Sequence, residues 1–174
     1  YAGTWASNVD FGSGEDTNIE WDVYAGQYFQ LNDKIGLDTG IAYYTYHGDN
    51  ASDSYNYPES YAKFGYSSSM CDTEVTFWYS LDYFGLDVNH YIAMVAHTVE
   101  VAPGQSIKLT FDRSTSADEN KWAWDNKDAY NHYRIEYITH WNGFDIDLAL
   151  EDTNMNMDSA DTRIVFSVSH AFDL

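Results

Sequence analysis

Apolar and polar residues alternate along most of this chain, in stretches of seven to thirteen residues. Strict alternation gives a ribbon with one apolar and one polar face, so it predicts strands. Ten follow: residues 1–8, 19–31, 35–46, 59–67, 73–81, 91–101, 106–112, 130–141, 144–150 and 162–172. In the second, Ile19, Trp21, Val23, Ala25 and Phe29 share one face; Glu20, Asp22, Tyr24, Gly26 and Tyr28 share the other. The ninth sets Phe144, Ile146, Leu148 and Leu150 against Asp145 and Asp147.

The connections alternate as well. Short turns lie near residues 32, 70, 103 and 142, and two of them carry the turn dipeptides Pro103-Gly104 and Asn142-Gly143. Long polar loops lie between them, at 9–16, 47–58, 82–89, 114–128 and 151–161. Strand hairpins tight at one end and roomy at the other are the pattern of an all-β, antiparallel, up-and-down transmembrane β-barrel. Residues 1–174 are expected to form one such outer-membrane barrel domain of about ten strands, with tight turns toward the periplasm.

A soluble β-barrel shows the same alternation with its faces reversed, so periodicity alone does not set the direction. Three features favour hydrocarbon outside. The apolar face carries almost no charge, and aromatic residues crowd its strand ends: Trp5, Trp21, Tyr43, Tyr66, Tyr79, Phe111, Tyr133, Trp141 and Phe144. Such rings form girdles at membrane interfaces. The polar face mixes small residues, Tyr and both signs of charge. The last strand ends near an aromatic, Phe172, followed by Asp173 and Leu174.

Composition narrows the function classes. Net charge is -20 with 8 Lys+Arg, which excludes a basic face for nucleic acid. Disorder does not fit 44% hydrophobic residues placed periodically. A lone cysteine, Cys71, allows no intrachain disulfide. No apolar run is long enough for a transmembrane helix.

Two sets of residues are candidates for chemistry. The long loops hold Asp10, Glu15, Asp16, Asp49, Asp53, Asp82, Asp87, Asp118, Glu119, Asp125, Asp128, Glu151, Asp152, Asp158 and Asp161, against Lys121 and Lys127 alone. Thirteen net negative charges would form a mouth that concentrates cations. They would equally serve as a solvated surface, or bridge divalent cations to lipopolysaccharide phosphates. The second set should point inward: Glu20, Asp22, Asp38, Lys63, Arg134, Glu136, Asp145, Asp147 and Arg163. These either select ions at a constriction or tie a narrow bore together, and Tyr24, Tyr28, Tyr44 and Tyr61 narrow it further. Catalytic motifs are missing: no G-x-S-x-G, H-E-x-x-H or phosphate loop. His90 with Asp87, and His47 with Asp49, read as chance neighbours. No cofactor and no specific metal site is expected, and no EF-hand spacing occurs.

The opening Tyr1-Ala2-Gly3-Thr4-Trp5-Ala6-Ser7-Asn8-Val9-Asp10-Phe11-Gly12 resembles the TorF family of porin-like proteins, a proteobacterial group of the Gcw_chp type. Residues 19–26, 40–48, Trp78-Tyr79-Ser80, Asp82-Tyr83-Phe84-Gly85 and 161–169 extend the likeness over most of the chain. The resemblance implies an outer-membrane barrel with a pore. Family members carry further strand sequence before Tyr1-Ala2-Gly3, and one more hairpin would make twelve strands. The expected function is a porin of a Gram-negative outer membrane, passing small, preferentially cationic solutes by passive diffusion. It would sit among lipid and lipopolysaccharide, as a homo-oligomer or beside other outer-membrane proteins. Two alternatives stand beside it: a non-conducting structural or assembly barrel, and a soluble β-barrel binding a ligand or glycan through its aromatics.

Overall fold

The computed structural model describes residues 1–12 and 14–172, so the expected tail Asp173-Leu174 lies outside the described residues. Ten strands are present among them: β1 Ala2–Asn8, β2 Ile19–Gln30, β3 Ile35–His47, β4 Tyr57–Ser67, β5 Cys71–Ser80, β6 His90–Ala102, β7 Gln105–Ser116, β8 Ala129–Trp141, β9 Phe144–Thr153 and β10 Arg163–Ser169. Each pairs antiparallel with its sequence neighbours, in one sheet ordered β1 to β10.

Turn chemistry explains the tight ends. Asn142 and Gly143 both take positive φ, 50° and 84°, the conformation whose twist matches a two-residue hairpin. Gly104 has φ 69° after Pro103, the pattern of a type II turn. Asn32 Oδ1 accepts the backbone N–H of Lys34 at 2.9 Å and of Ile35 at 3.0 Å.

Two strands, β7 and β9, run three or more residues past their predicted ends. β7 continues through Ser114 and Ser116, and β9 continues through Glu151 to Thr153. Ser114 and Ser116 are buried on the polar face, while Arg113 and Thr115 take the other. Neither face is strongly apolar there, so the contrast that marks a strand disappears.

The expected barrel is not formed. The sheet is open: β1 pairs only with β2, and β10 only with β9. Local patterning fixes which neighbours pair, but closure needs a pairing between chain ends that no local signal encodes. β1 and β10 are also the shortest strands, 7 residues each.

The faces fall as the alternation requires, and their environments are inverted relative to a protein in water. Thr76, His90 and Ser114 on the polar face are at most 2% exposed, and Asp22 and Glu136 are buried on the same face. Ile41, Phe166 and Ile164 on the apolar face are 65%, 66% and 75% exposed. Polar side chains, together with Tyr46, Tyr57 and small residues such as Ala96 and Ala149, therefore make the packed interior. Close approach is arranged at Gly26 and Gly40, which face each other between β2 and β3. The rings of Tyr1 and Tyr61 lie over them, with their hydroxyls 2.5 Å apart. A side chain at either glycine would occupy the space of those rings.

Candidate functional site: the polar face and its loop-covered mouth

All nine inward candidates take register positions on the polar face, but they gather in separate groups. The first group lies on β1 to β5. A cavity of about 550 Å³ is lined there by Asp22, Asp38, Lys63, Trp5, Tyr44 and Trp78, among others. Asp38 accepts the Tyr1 hydroxyl at 2.6 Å. Lys63 lies 3.7 Å from Glu74 of β5, so much of its charge is matched. One carboxylate oxygen of Asp22 is buried without a hydrogen-bond partner. Glu20 sits two residues from Asp22, opposite Tyr46. Trp5, expected among the outward aromatics, is opposite Asp22 and lines this cavity. β1 alternates small residues on its outer face (Ala2, Thr4, Ala6), which left its direction unmarked.

The second group lies on β7 to β9. Arg134 donates to Glu136 at 2.6 Å and to Glu151 at 2.9 Å. His132 Nδ1 lies 2.8 Å from Asp112, and Nε2 lies 3.6 Å from Glu151. Glu151 was expected in a loop; it is a strand residue completing this network, and Asp152 follows it within β9. Arg163 opens β10 opposite Glu151. Toward the short-turn end, Asp147 accepts the Ser167 hydroxyl at 2.8 Å, and Asp145 pairs with His140.

With Glu151 and Asp152 assigned to β9, the long connections keep thirteen acids against Lys121 and Lys127, eleven net negative charges. Several of these acids build the loops. Asp49 Oδ1 accepts the N–H groups of Ala51 and Ser52 at 2.8 and 2.9 Å, which hold the 3-10 turn Ser52–Tyr55. Those hydrogen bonds hold its carboxyl below the usual aspartate range. Lys121 bonds Asp87 at 2.7 Å across two loops and likewise lowers its pKa. The Tyr55 hydroxyl donates to Glu15 at 3.0 Å; the carboxylate raises the phenol's pKa. No group of three or more His, Cys, Asp or Glu among the described residues could hold a metal ion. His90 bonds Ser114 at 2.8 Å and stacks on Tyr83, while His47 bonds Thr45, so neither histidine pairs with the acid near it in sequence.

Sequence reasoning missed the aromatic cluster over this end. Phe11, Tyr55, Phe84 and Trp122 come from four different loops or turns; the first three meet Tyr46 or Tyr57 at the strand ends, and Trp122 joins through Phe84. Trp124 continues it to Tyr130, at 5.1 Å between ring centroids. Phe84 takes a left-handed conformation, φ 51° and ψ 30°, which costs a bulky residue about 1–2 kcal/mol. The available signal was bulky aromatics in loops that are otherwise polar.

Among the described residues, one face of the sheet is exposed and apolar, and the other is largely buried and hydrogen-bonded. The chain belongs to the family described as bacterial protein of unknown function (Gcw_chp), whose profile matches residues 1–172. Among solved structures it is similar to a NanC porin structure in a rhombohedral crystal form, with 10% identity, a TM-score of 0.71 and 98% of each chain covered. At that identity the likeness is one of fold. No curated protein matches the sequence.

Proposed function

We propose that this chain forms the wall of a porin-like protein in a Gram-negative outer membrane, passing small solutes by passive diffusion with a preference for cations. One observation carries the reading: the Ile, Leu, Val and Phe rows are turned outward, and the carboxylates, hydroxyls and Arg134 are packed on the other face. Apolar rows in water would cost roughly 25 cal/mol per Å² left exposed; against hydrocarbon they cost nothing. The fold likeness to a porin agrees with it.

The cation preference rests on charge. Eleven net negative charges gather at the long-loop end. On the polar face Arg134 is matched by Glu136 and Glu151, while Asp22 and Asp38 line the open cavity beside Tyr44. Lipid and lipopolysaccharide are the surroundings this reading requires, with divalent cations bridging exposed loop acids to phosphates. β1 and β10 end the strand order among the described residues, and a sheet edge in hydrocarbon needs hydrogen-bond partners, which favours association with a second copy or a neighbouring membrane protein.

Planar-bilayer recording tests the reading. Ionic current with reversal potentials on the cation side in a KCl gradient is expected. Reversal on the anion side would refute the electrostatic argument. Insertion without current would leave a structural wall, an outcome consistent with the aromatic cover over the mouth.

A further inference from the structure

We propose that the loop end carries a binding site for a small alkylated ammonium ion, the chemical class of choline. The site is a cavity of about 350 Å³ lined by Phe11, Glu15, Tyr55, Phe84, Leu86 and Trp122. Four aromatic rings from separate segments form its walls. Phe11 lies 5.6 Å from Tyr55 and 5.7 Å from Phe84, and Phe84 stacks on Trp122 at 5.4 Å.

The lining chemistry selects the ligand. An alkylated ammonium is drawn to ring faces by their quadrupoles and needs no hydrogen bonds. This cavity offers few. The Tyr55 hydroxyl is committed to Glu15, and the Trp122 indole N–H, although it has no partner, is buried away from solvent. A sugar or an anion would find few side-chain donors there. The one charge on the lining is the Glu15 carboxylate, and the surrounding loops are strongly negative. Opposite charge and aromatic walls therefore act on the same ligand.

The walls are also held in advance. Phe84 has positive φ, and Gly85, φ 68°, brings the backbone so close to the Ser54 carbonyl that a side chain would collide. That contact ties the Phe84 loop to the turn bearing Tyr55. Lys121, next to Trp122, is bound to Asp87. Backbone strain of this kind persists where the surroundings impose it, and ligand clamps are a common setting.

The site is independent of whether the sheet conducts, so its test uses binding. The full chain in detergent micelles is titrated by calorimetry with choline, with its uncharged isostere 3,3-dimethylbutanol, and with glucose. Choline is expected to bind roughly ten-fold more tightly than the isostere. Phe11→Leu and Glu15→Gln should each weaken choline by several-fold, while Phe11→Tyr should retain it. Phe11 and Glu15 lie in an exposed loop, so these variants are expected to fold, with circular dichroism as the check. Equal affinity for choline and its isostere, tighter binding of glucose, or no heat with any of the three would overturn the proposal.

Discussion

A charge placed on the outward face decides what that face meets. Ile135 sits at the middle of β8, 48% exposed, between Leu109 of β7 and Leu150 of β9. Its row carries only apolar neighbours at that height, so Ile135→Arg leaves the new guanidinium no partner on its own face. At the middle of a bilayer an outward Arg costs about 2–4 kcal/mol. That is roughly 30- to 700-fold in the folding equilibrium. On a face bathed in water the same exposed substitution would change stability by about 0.5 kcal/mol or less. The two cases are separable. Urea unfolding of the full chain from lipid vesicles, followed by tryptophan fluorescence and extrapolated linearly, gives the free energy. Glu119→Arg, in an exposed loop, is the control and should fall within about 0.5 kcal/mol of wild type. An Ile135→Arg value equally close to wild type would refute the membrane-facing assignment.

Three further outcomes are expected. Gly40→Val drives a side chain into the Tyr61 ring and should destabilise by about 1–3 kcal/mol in the same unfolding assay. Arg134→Ala frees Glu136 and Glu151 from their cation; reversal potentials should move further toward cations, and an unchanged selectivity would show that this network does not face the permeating ion. The Asp87–Lys121 link concerns pH: its carboxyl titrates below the usual aspartate range, so its contribution is present above that range and is lost as pH falls through the lowered value. Amide exchange over residues 82–89 should be faster in Lys121→Met than in wild type at about pH 7, with the difference shrinking as pH falls below the ordinary aspartate value of about 3.9.

How far the sequence was legible varies by element. β2 and most of β9 could be read from the sequence, because contrasts such as Trp21 against Asp22, or Leu148 against Asp147, recur along them. β1 could be placed but not oriented, since Ala2, Thr4 and Ala6 leave its outer face unmarked, and Trp5 consequently points to the polar side. The candidate inward charges share one face of the sheet by register, because facing is a local consequence of the pleat. Their partners were not legible: Arg134 meets Glu151 through strand register, 17 residues apart. The aromatic mouth was invisible because its members come from loops whose spacing carries no period.

By itself the sequence determined the ten strands, their neighbour order and, β1 apart, the content of each face, since a two-residue repeat and short turns act over a few residues. Only the tertiary structure decided which face is outward, that the sheet stays open between β1 and β10, and which loops meet over the polar face. Those outcomes depend on contacts between segments distant in the chain, and alternation along one strand holds no information about them.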